Sequence, residues 1–362
     1  MIYGSLIRPL LFRLPSDAVH ERTLRLAAAV SDRRTALRMV RRLTDRLAQS
    51  STDLAAESLR NARERAGGHG DSGATGDPLQ VSVLGQVFSG PVGLAAGFDK
   101  NARIIGLIRA LGFGSMEVGS ITALASPGNP LPRSFRLPAD HALVNRMGLN
   151  NDGAVRITER LDRLRADAWQ ADPAAGDPFP VGVNIAKTHD PRILGEHALQ
   201  DYMASFRRAL PVADYVTLNV SCPNTAEGKT FEEAQPLQDL LRRVMEHRSS
   251  SQRRDLPVLV KFSPDLDRGK LLELLSICLE NRVDGYVAGN TSSGRDNLRT
   301  PESEWRAMGK GGLSGGPIRQ ASTRLVERIA GNVPDGTPII GCGGVFTADD
   351  VLEKIRAGAV LV

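Results

Sequence analysis

Cysteine is scarce in this chain: Cys222, Cys278 and Cys342 are the only three in 362 residues, and they lie far apart. That count excludes a disulfide framework and fits a reducing compartment. No Cys/His spacing resembles a zinc site, and no metal is expected. Uncharged apolar runs are short as well, none approaching the roughly 18 residues of a membrane-spanning helix. Met1–Arg13 is broken by Arg8 and Arg13 and has no small-residue cleavage site, so it is not expected to be a secretory signal. Aromatic residues make up only 4% of the chain, and no basic stretch is interleaved with them, which leaves nucleic acid without a motif to bind.

What charge there is sits unevenly. Residues 1–50 hold ten arginines and four acidic residues, a net +6, so the other 312 residues sum to −1 against a total of +5. Within that stretch Leu6, Ile7, Leu10, Leu11 and Leu14 recur at helical spacing. Ser16 is placed to cap a second helix containing Val19, Leu24, Leu26 and Ala27–Val30. Leu37, Met39, Val40, Leu43 and Leu47 continue the apolar stripe opposite Arg33, Arg34, Arg38, Arg41, Arg42 and Arg46. Residues 1–48 therefore read as an amphipathic helical segment suited to an anionic membrane surface. The alternative is a helix packed on the main domain with a solvated basic face. Gln49–Pro78, rich in Ser, Gly, Ala, Asp and Arg, reads as a flexible linker or insertion.

From residue 79 onward the chain is expected to form one α/β domain. Leu79–Leu84 and Gln86–Ser89 alternate around Gly85 and predict a hairpin. Short apolar runs follow at 92–96, 115–119, 181–186, 214–219, 257–262, 284–289, 338–341 and 359–362, most of them separated by helical patterns. Eight strands separated by helices predict a (β/α)8 TIM barrel, with a doubly wound open sheet as the alternative. The wide interval 120–180 leaves room for an inserted substrate loop, and Cys278 reads as a helix core residue.

Polar residues collect where those strands end, the rim on which such barrels keep their chemistry. The central stretch is Asn219–Thr225, Asn-Val-Ser-Cys-Pro-Asn-Thr, with two carboxamides, two hydroxyls and a thiol. A carboxamide matches an imide-like ring, and the thiol of Cys222 can serve as a base or a nucleophile. Gly341-Cys342-Gly343-Gly344 lets backbone amides approach a phosphate, and Gly311–Pro317 reads as a second glycine loop closing over a flat cofactor. Lys100 and Lys261 offer positive charge to a reduced ring or an acidic substrate.

Gly93–Lys100, Asn145–Leu149, Asn219–Thr225, Gly312–Gly315 and Ile339–Gly344, taken in this order, resemble dihydroorotate dehydrogenase. The N-terminal segment is similar to that of its class 2, quinone-reducing, membrane-associated branch. The resemblance implies oxidation of dihydroorotate to orotate in pyrimidine biosynthesis, with a membrane quinone as acceptor. It implies FMN held by Ala96, Gly97, Phe98, Asp99, Lys100, Ser120, Asn184, Asn219, Lys261, Gly289, Gly315 and Gly344. Substrate would meet Lys100, Asn145, Arg146, Met147, Gly148, Leu149, Asn224, Asn290 and Thr291, and Cys222 falls on the catalytic base. His20 and Arg136 match the quinone tunnel. The location implied is the cytoplasmic side of the cell membrane, as a peripheral protein.

Three positions depart from the pattern. Cys222 stands where class 2 enzymes usually carry Ser, and Ser120 and Gly289 where the family more often has Thr. The family's phosphate-binding turn and final helix fall beyond Val362, so the chain is expected to stop at the eighth strand. A soluble class 1-like enzyme using fumarate or NAD, and an inactive membrane-bound barrel, are the alternative readings.

Overall fold

The computed structural model describes residues 11–48, 52–65, 79–166, 178–221 and 230–362. Leu6, Ile7 and Leu10 of the expected first helix lie outside them. Two helices, α1 (Ser16–Ser31) and α2 (Arg34–Ala48), follow in the order expected. Ser16 does not cap α1; its hydroxyl donates to Ser134 O instead. The pair is packed on the main domain, with Leu24, Ala27 and Ala28 against the central core and Ser31 Oγ accepting Leu107 N at 3.1 Å.

Within the stretch expected to be a linker, Thr52–Arg65 forms a third helix, α3. Its sequence is polar, but strong helix formers fill it, and Leu59 and Ala62, one turn apart, are buried. They pack on Ile355 beside Leu79, Val351, Leu352 and Val362. The rest of the expected linker lies outside the described residues.

The hairpin at Gly85 forms as β1 (Val81–Val83) and β2 (Gln86–Phe88), antiparallel, with Leu84 at φ 56° and Gly85 at φ 65°. Two left-handed residues give the turn that matches strand twist. Val81 and Phe88 of the hairpin join Tyr215, Leu259, Val287 and Leu361 in one cluster, so the hairpin plugs one end of the domain.

The remaining strands are β3 (Gly93–Leu94), β4 (Ser115–Ile121), β5 (Ser134–Leu137), β6 (Ala142–Asn145), β7 (Val181–Ile185), β8 (Tyr215–Asn219), β9 (Val258–Phe262), β10 (Gly285–Ala288), β11 (Gly312–Gly315) and β12 (Ile339–Gly341). Seven of them form a parallel sheet in the order β12-β10-β9-β8-β7-β4-β3. Strands such as Val181–Ile185 and Val258–Phe262 are buried at every position, which explains their near-continuous apolar runs. Residues 360–362 close the sheet on itself. On one side Val360 N donates to Ile339 O at 2.9 Å and Gly341 N to Leu361 O at 2.8 Å; on the other Gly93 N donates to Val362 O at 2.8 Å. The expected barrel is the fold.

Helices α4 (Ile105–Ala110), α5 (Ala154–Leu164), α6 (Gly195–Ala209), α7 (Ala234–Ser249), α8 (Arg268–Glu280), α9 (Glu302–Ala307), α10 (Arg319–Ala330) and α11 (Ala348–Arg356) complete the chain, most of them surrounding the barrel. Cys278 is buried in α8, as expected of a core thiol. The interval 120–180 carries β5 and β6, which with β11 form a separate antiparallel sheet beside the rim. The glycine loop expected at 311–317 is thus largely a strand: Gly312 pairs with Asn145 and Gly315 with Ala142. Glycine is needed at 312 because a Cβ there would lie 2.0 Å from Thr291 Oγ1.

If α3 is docked as described, Leu59→Ala removes a buried side chain from the layer that packs on Ile355. We expect a loss of about 2–4 kcal/mol, read from the midpoint of urea unfolding. An unchanged midpoint would show that α3 contributes nothing to the packed core.

Candidate active site

At the rim, one buried chain of hydrogen bonds crosses five neighbouring strands. It begins at Glu117, on β4, whose carboxylate accepts Thr217 Oγ1 at 2.7 Å and Asn184 Nδ2 at 2.8 Å. Asn184 Oδ1 then accepts the hydroxyl of Ser120, and Ser120 Oγ accepts Asn219 Nδ2 at 2.9 Å. Asn219 Oδ1 accepts Asn290 Nδ2 at 3.2 Å, and that amide also donates to Ser221 Oγ at 2.9 Å. Ser221 closes the chain on Lys261 O at 3.0 Å.

The order of donors is forced. A carboxylate only accepts, so Asn184 turns its NH2 towards Glu117 and its oxygen towards Ser120. Ser120 has one proton, which goes to Asn184, so it receives the NH2 of Asn219, whose oxygen then faces Asn290. One acid sets the orientation of three carboxamides. Reading the rim residues missed Glu117 and Thr217 because both sit inside strands rather than after them. The available signal was an acid within the otherwise buried run Ser115–Ile121, where an unpaired charge would be costly.

Around this chain the structure gathers most of the expected site residues. Lys261 is buried on β9 and lines a cavity of about 220 Å³ with Glu117, Tyr215, Val287 and the loop Gly341–Gly344. Among the described residues, the amides of Gly343, Gly344 and Val345 have no hydrogen-bond acceptor. Gly289 has φ 134°, and any Cβ there would lie 1.9 Å from Cys342 O, so no side chain fits in this backbone. Gly315, at φ 98°, ends β11 against His141.

Gly97 reaches the chain through its backbone, Gly97 N donating to Gly119 O at 2.8 Å. Lys100 donates to Gly97 O at 2.6 Å, and burial, followed by the charge of Arg133, lowers its pKa to about 8 against an opposing pull from Asp99. Asp99 itself is occupied by the amides of Asn101, Arg103 and Ile104, and so serves the backbone of this turn. Ala96 is half-buried beside these residues, and Phe98 stacks edge-on against His20 with ring centroids 5.1 Å apart.

Asn145, at the end of β6, donates to Gly312 O at 3.4 Å. Arg146 binds Met308 O and Pro132 O and lies 4.8 Å over the Phe135 ring, which ties its side chain to the small sheet. Met147 is half-buried, Gly148 and Leu149 are buried, and Asn129 clasps this turn through Arg146 O and Met147 O. Thr291 N donates to Asn290 Oδ1 at 2.9 Å, fixing that carboxamide from its other side. His20 lies on α1 and Arg136 on β5, where α1 joins the small sheet, Arg136 donating to Leu14 O at 2.8 Å. Burial, then the charge of Lys100, lowers the pKa of His20. Cys222 and Asn224 lie outside the described residues.

The carboxylate chain has a measurable signature. Glu117→Ala strands Asn184 Nδ2 and Thr217 Oγ1 without an acceptor, at an expected cost of about 2–4 kcal/mol. A cycle with Asn184→Ala should show coupling of about 1–2 kcal/mol in thermal or urea unfolding. Additive losses would mean that the two side chains act independently.

Comparison with known proteins agrees with this geometry. A family model described as dihydroorotate dehydrogenase matches residues 78–362. A protein of Thermobifida fusca named dihydroorotate dehydrogenase (quinone) is 43% identical over 284 residues, covering 78% of this chain and 73% of its own. One of Chloroflexus aurantiacus with the same name is 39% identical over 367 residues, covering 99% of this chain and 89% of its own. Among solved structures, ligand-free DHODH from Eimeria tenella superposes with a TM-score of 0.69 at 31% identity, covering 85% of this chain and 87% of the other. The same enzyme in complex with ferulenol gives 0.67 at 32% identity, covering 85% and 84%. The chain belongs to the dihydroorotate dehydrogenase family.

Proposed function

We propose that this protein oxidises dihydroorotate to orotate at a bound FMN and delivers the electrons to a membrane quinone, as a step of pyrimidine synthesis. The observation that carries the reading is the buried carboxamide chain at the rim, flanked by Lys100 and Lys261 and by a loop of unpartnered amides. A flat ligand with an anionic tail fits that donor set. The cavity walls are partly apolar, Lys261 supplies a cation, and the amides of Gly343, Gly344 and Val345 suit a phosphate.

Asn184, Asn219, Lys261, Ser120, Gly289, Gly315 and Gly344 would hold the flavin, together with the backbone of Ala96–Lys100. When bound, FMN supplies the hydride acceptor. Lys100 would pair with the substrate carboxylate, and Asn145, Asn224, Asn290 and Thr291 would match the ring's ureide edge, assisted by the turn Arg146–Leu149. Cys222 takes the proton from C5 as hydride leaves C6, so the ring gains a double bond. The acceptor ends as a quinol after taking two electrons and two protons.

His20 on α1 and Arg136 on the adjoining β5 would border the quinone path. Among the described residues no helix is long and apolar enough to cross a membrane. The outer face of α2 exposes Met39 (74%) and Leu43 (61%) among Arg38, Arg42 and Arg46. Such a face supports peripheral binding to an anionic surface on the cytoplasmic side, each arginine near the lipid contributing about 1 kcal/mol.

Two limbs of pH dependence are expected. Lys100 loses its charge above about pH 8, so KM for dihydroorotate should rise there. A thiol with an ordinary pKa of about 8.5 gains thiolate over the same range, so kcat for flavin reduction should rise. Lys100→Met should remove the KM limb, and Cys222→Ala should stop flavin reduction while FMN stays bound. Cys222→Ser should retain part of the rate. Normal reduction in Cys222→Ala would remove Cys222 from the mechanism.

Acceptor and membrane are tested together. With dihydroorotate as donor, a quinone analogue should be reduced in preference to fumarate or NAD. Met39→Glu combined with Leu43→Glu should release the protein from anionic vesicles and slow turnover with a long-chain quinone. Flavin reduction by dihydroorotate should be unchanged. Equal turnover with the long-chain quinone would overturn the membrane role of α2.

A further inference from the structure

Beneath the loop that follows β12 lies a fully buried lysine, Lys354 of α11. Its stem runs directly under Gly341, where a Cβ would fall 3.1 Å from Lys354 Cδ. Its ammonium donates to Ser322 Oγ at 2.8 Å and to Thr323 Oγ1 at 3.4 Å. Among the described residues no carboxylate lies within ion-pairing distance of it, since Arg319 takes both Asp350 and Glu353, at 2.8 Å and 2.6 Å. A buried ammonium held only by hydroxyls is an expensive arrangement for a fold.

The hydrogen bonds show how it reaches the loop. Lys354 is a donor only, so it occupies lone pairs of Ser322 Oγ and turns the hydroxyl proton away from itself. That proton goes to Cys342 O at 2.6 Å. In a trans peptide the carbonyl and the following N–H point in opposite directions. With Cys342 O turned inward to Ser322, the amide of Gly343 points the other way, in the loop that carries the partnerless amides of Gly344 and Val345. Gly343 and Gly344, at φ 104° and 69°, let the loop make this turn.

We propose that Lys354 is the positioning residue of the loop whose amides, those of Gly343, Gly344 and Val345, are given to the flavin phosphate in the reading above. Lys354 acts through Ser322 to hold the loop, and its buried charge draws the phosphate. This rests on the reading of the rim as a flavin site and adds to it the residue that makes the site selective for the phosphorylated flavin.

The test uses full-length apoprotein titrated with FMN and with riboflavin, followed by quenching of flavin fluorescence. Lys354→Met keeps the length of the side chain and removes its charge. FMN affinity should fall at least ~10-fold, as for loss of a charge-assisted contact, while riboflavin affinity stays within about twofold. The melting temperature of the apoprotein should hold or rise, because an unpaired buried cation has been removed. Ser322→Ala, which breaks the relay but leaves the lysine, should show the same selective loss and covers the case in which Lys354→Met does not fold. Equal losses for FMN and riboflavin, or none for either, would overturn the role of Lys354. Failure of the unaltered protein to prefer FMN over riboflavin would instead overturn the flavin reading on which it rests.

Discussion

A single buried carboxylate gives the rim of this barrel its polarity. Glu117 only accepts, and its two oxygens take Thr217 and Asn184, so each group further along has one orientation left. Asn184, Ser120, Asn219 and Asn290 are thereby ordered across β4, β7, β8 and the turn after β10 by one another. Preorganised donors of this kind need not reorient when a ligand arrives, which is where much of the effect of a binding or catalytic site comes from. The arrangement depends on barrel closure, because neighbouring strands must keep register for the side chains to meet. Four backbone hydrogen bonds through residues 360–362 supply that closure.

A second buried charge works at the other side of the mouth. Lys354 and Glu117 are both placed on regular elements, α11 and β4, and both reach loops through short side chains that relay direction rather than charge alone. Hydroxyls of Ser120 and Ser322 are the hinges of the two relays. Each has one proton, so each passes on one orientation. The loops themselves, rich in glycine and asparagine, would otherwise have many conformations open to them.

The N-terminal helices are fastened to this mouth rather than merely tethered near it. Arg133 N donates to Asp17 Oδ2, Arg136 to Leu14 O, and Ser16 to Ser134 O, so α1 is bound to the small sheet that carries Asn145 and Arg146. His20 meets Phe98, two residues from Lys100. A segment that carries the chain's basic charge and an exposed Met39 and Leu43 is therefore in direct contact with the rim.

Much of this was legible in the residues taken alone. Continuous apolar runs announced buried parallel strands, alternation around Gly85 announced the hairpin, and asparagines and glycines after the runs marked the rim, because these are local consequences of backbone geometry and burial. The helix at 52–65 was hidden by its polar composition, although Leu59 and Ala62 are buried against the body of the protein. Gly312–Gly315 read as a loop because glycine has weak strand preference, whereas its place as a strand is imposed by Thr291 and by pairing with β6. Glu117 and Lys354 looked like ordinary charged residues. Their partners lie 67 and 100 residues away for Glu117 and 32 away for Lys354, in the neighbouring strands and helix. The sequence by itself determined the strands of the barrel and the chemistry available at their ends. Which charges are buried, and therefore which side chains they orient, was decided only by the closed barrel, because desolvation and register exist only once distant strands lie side by side.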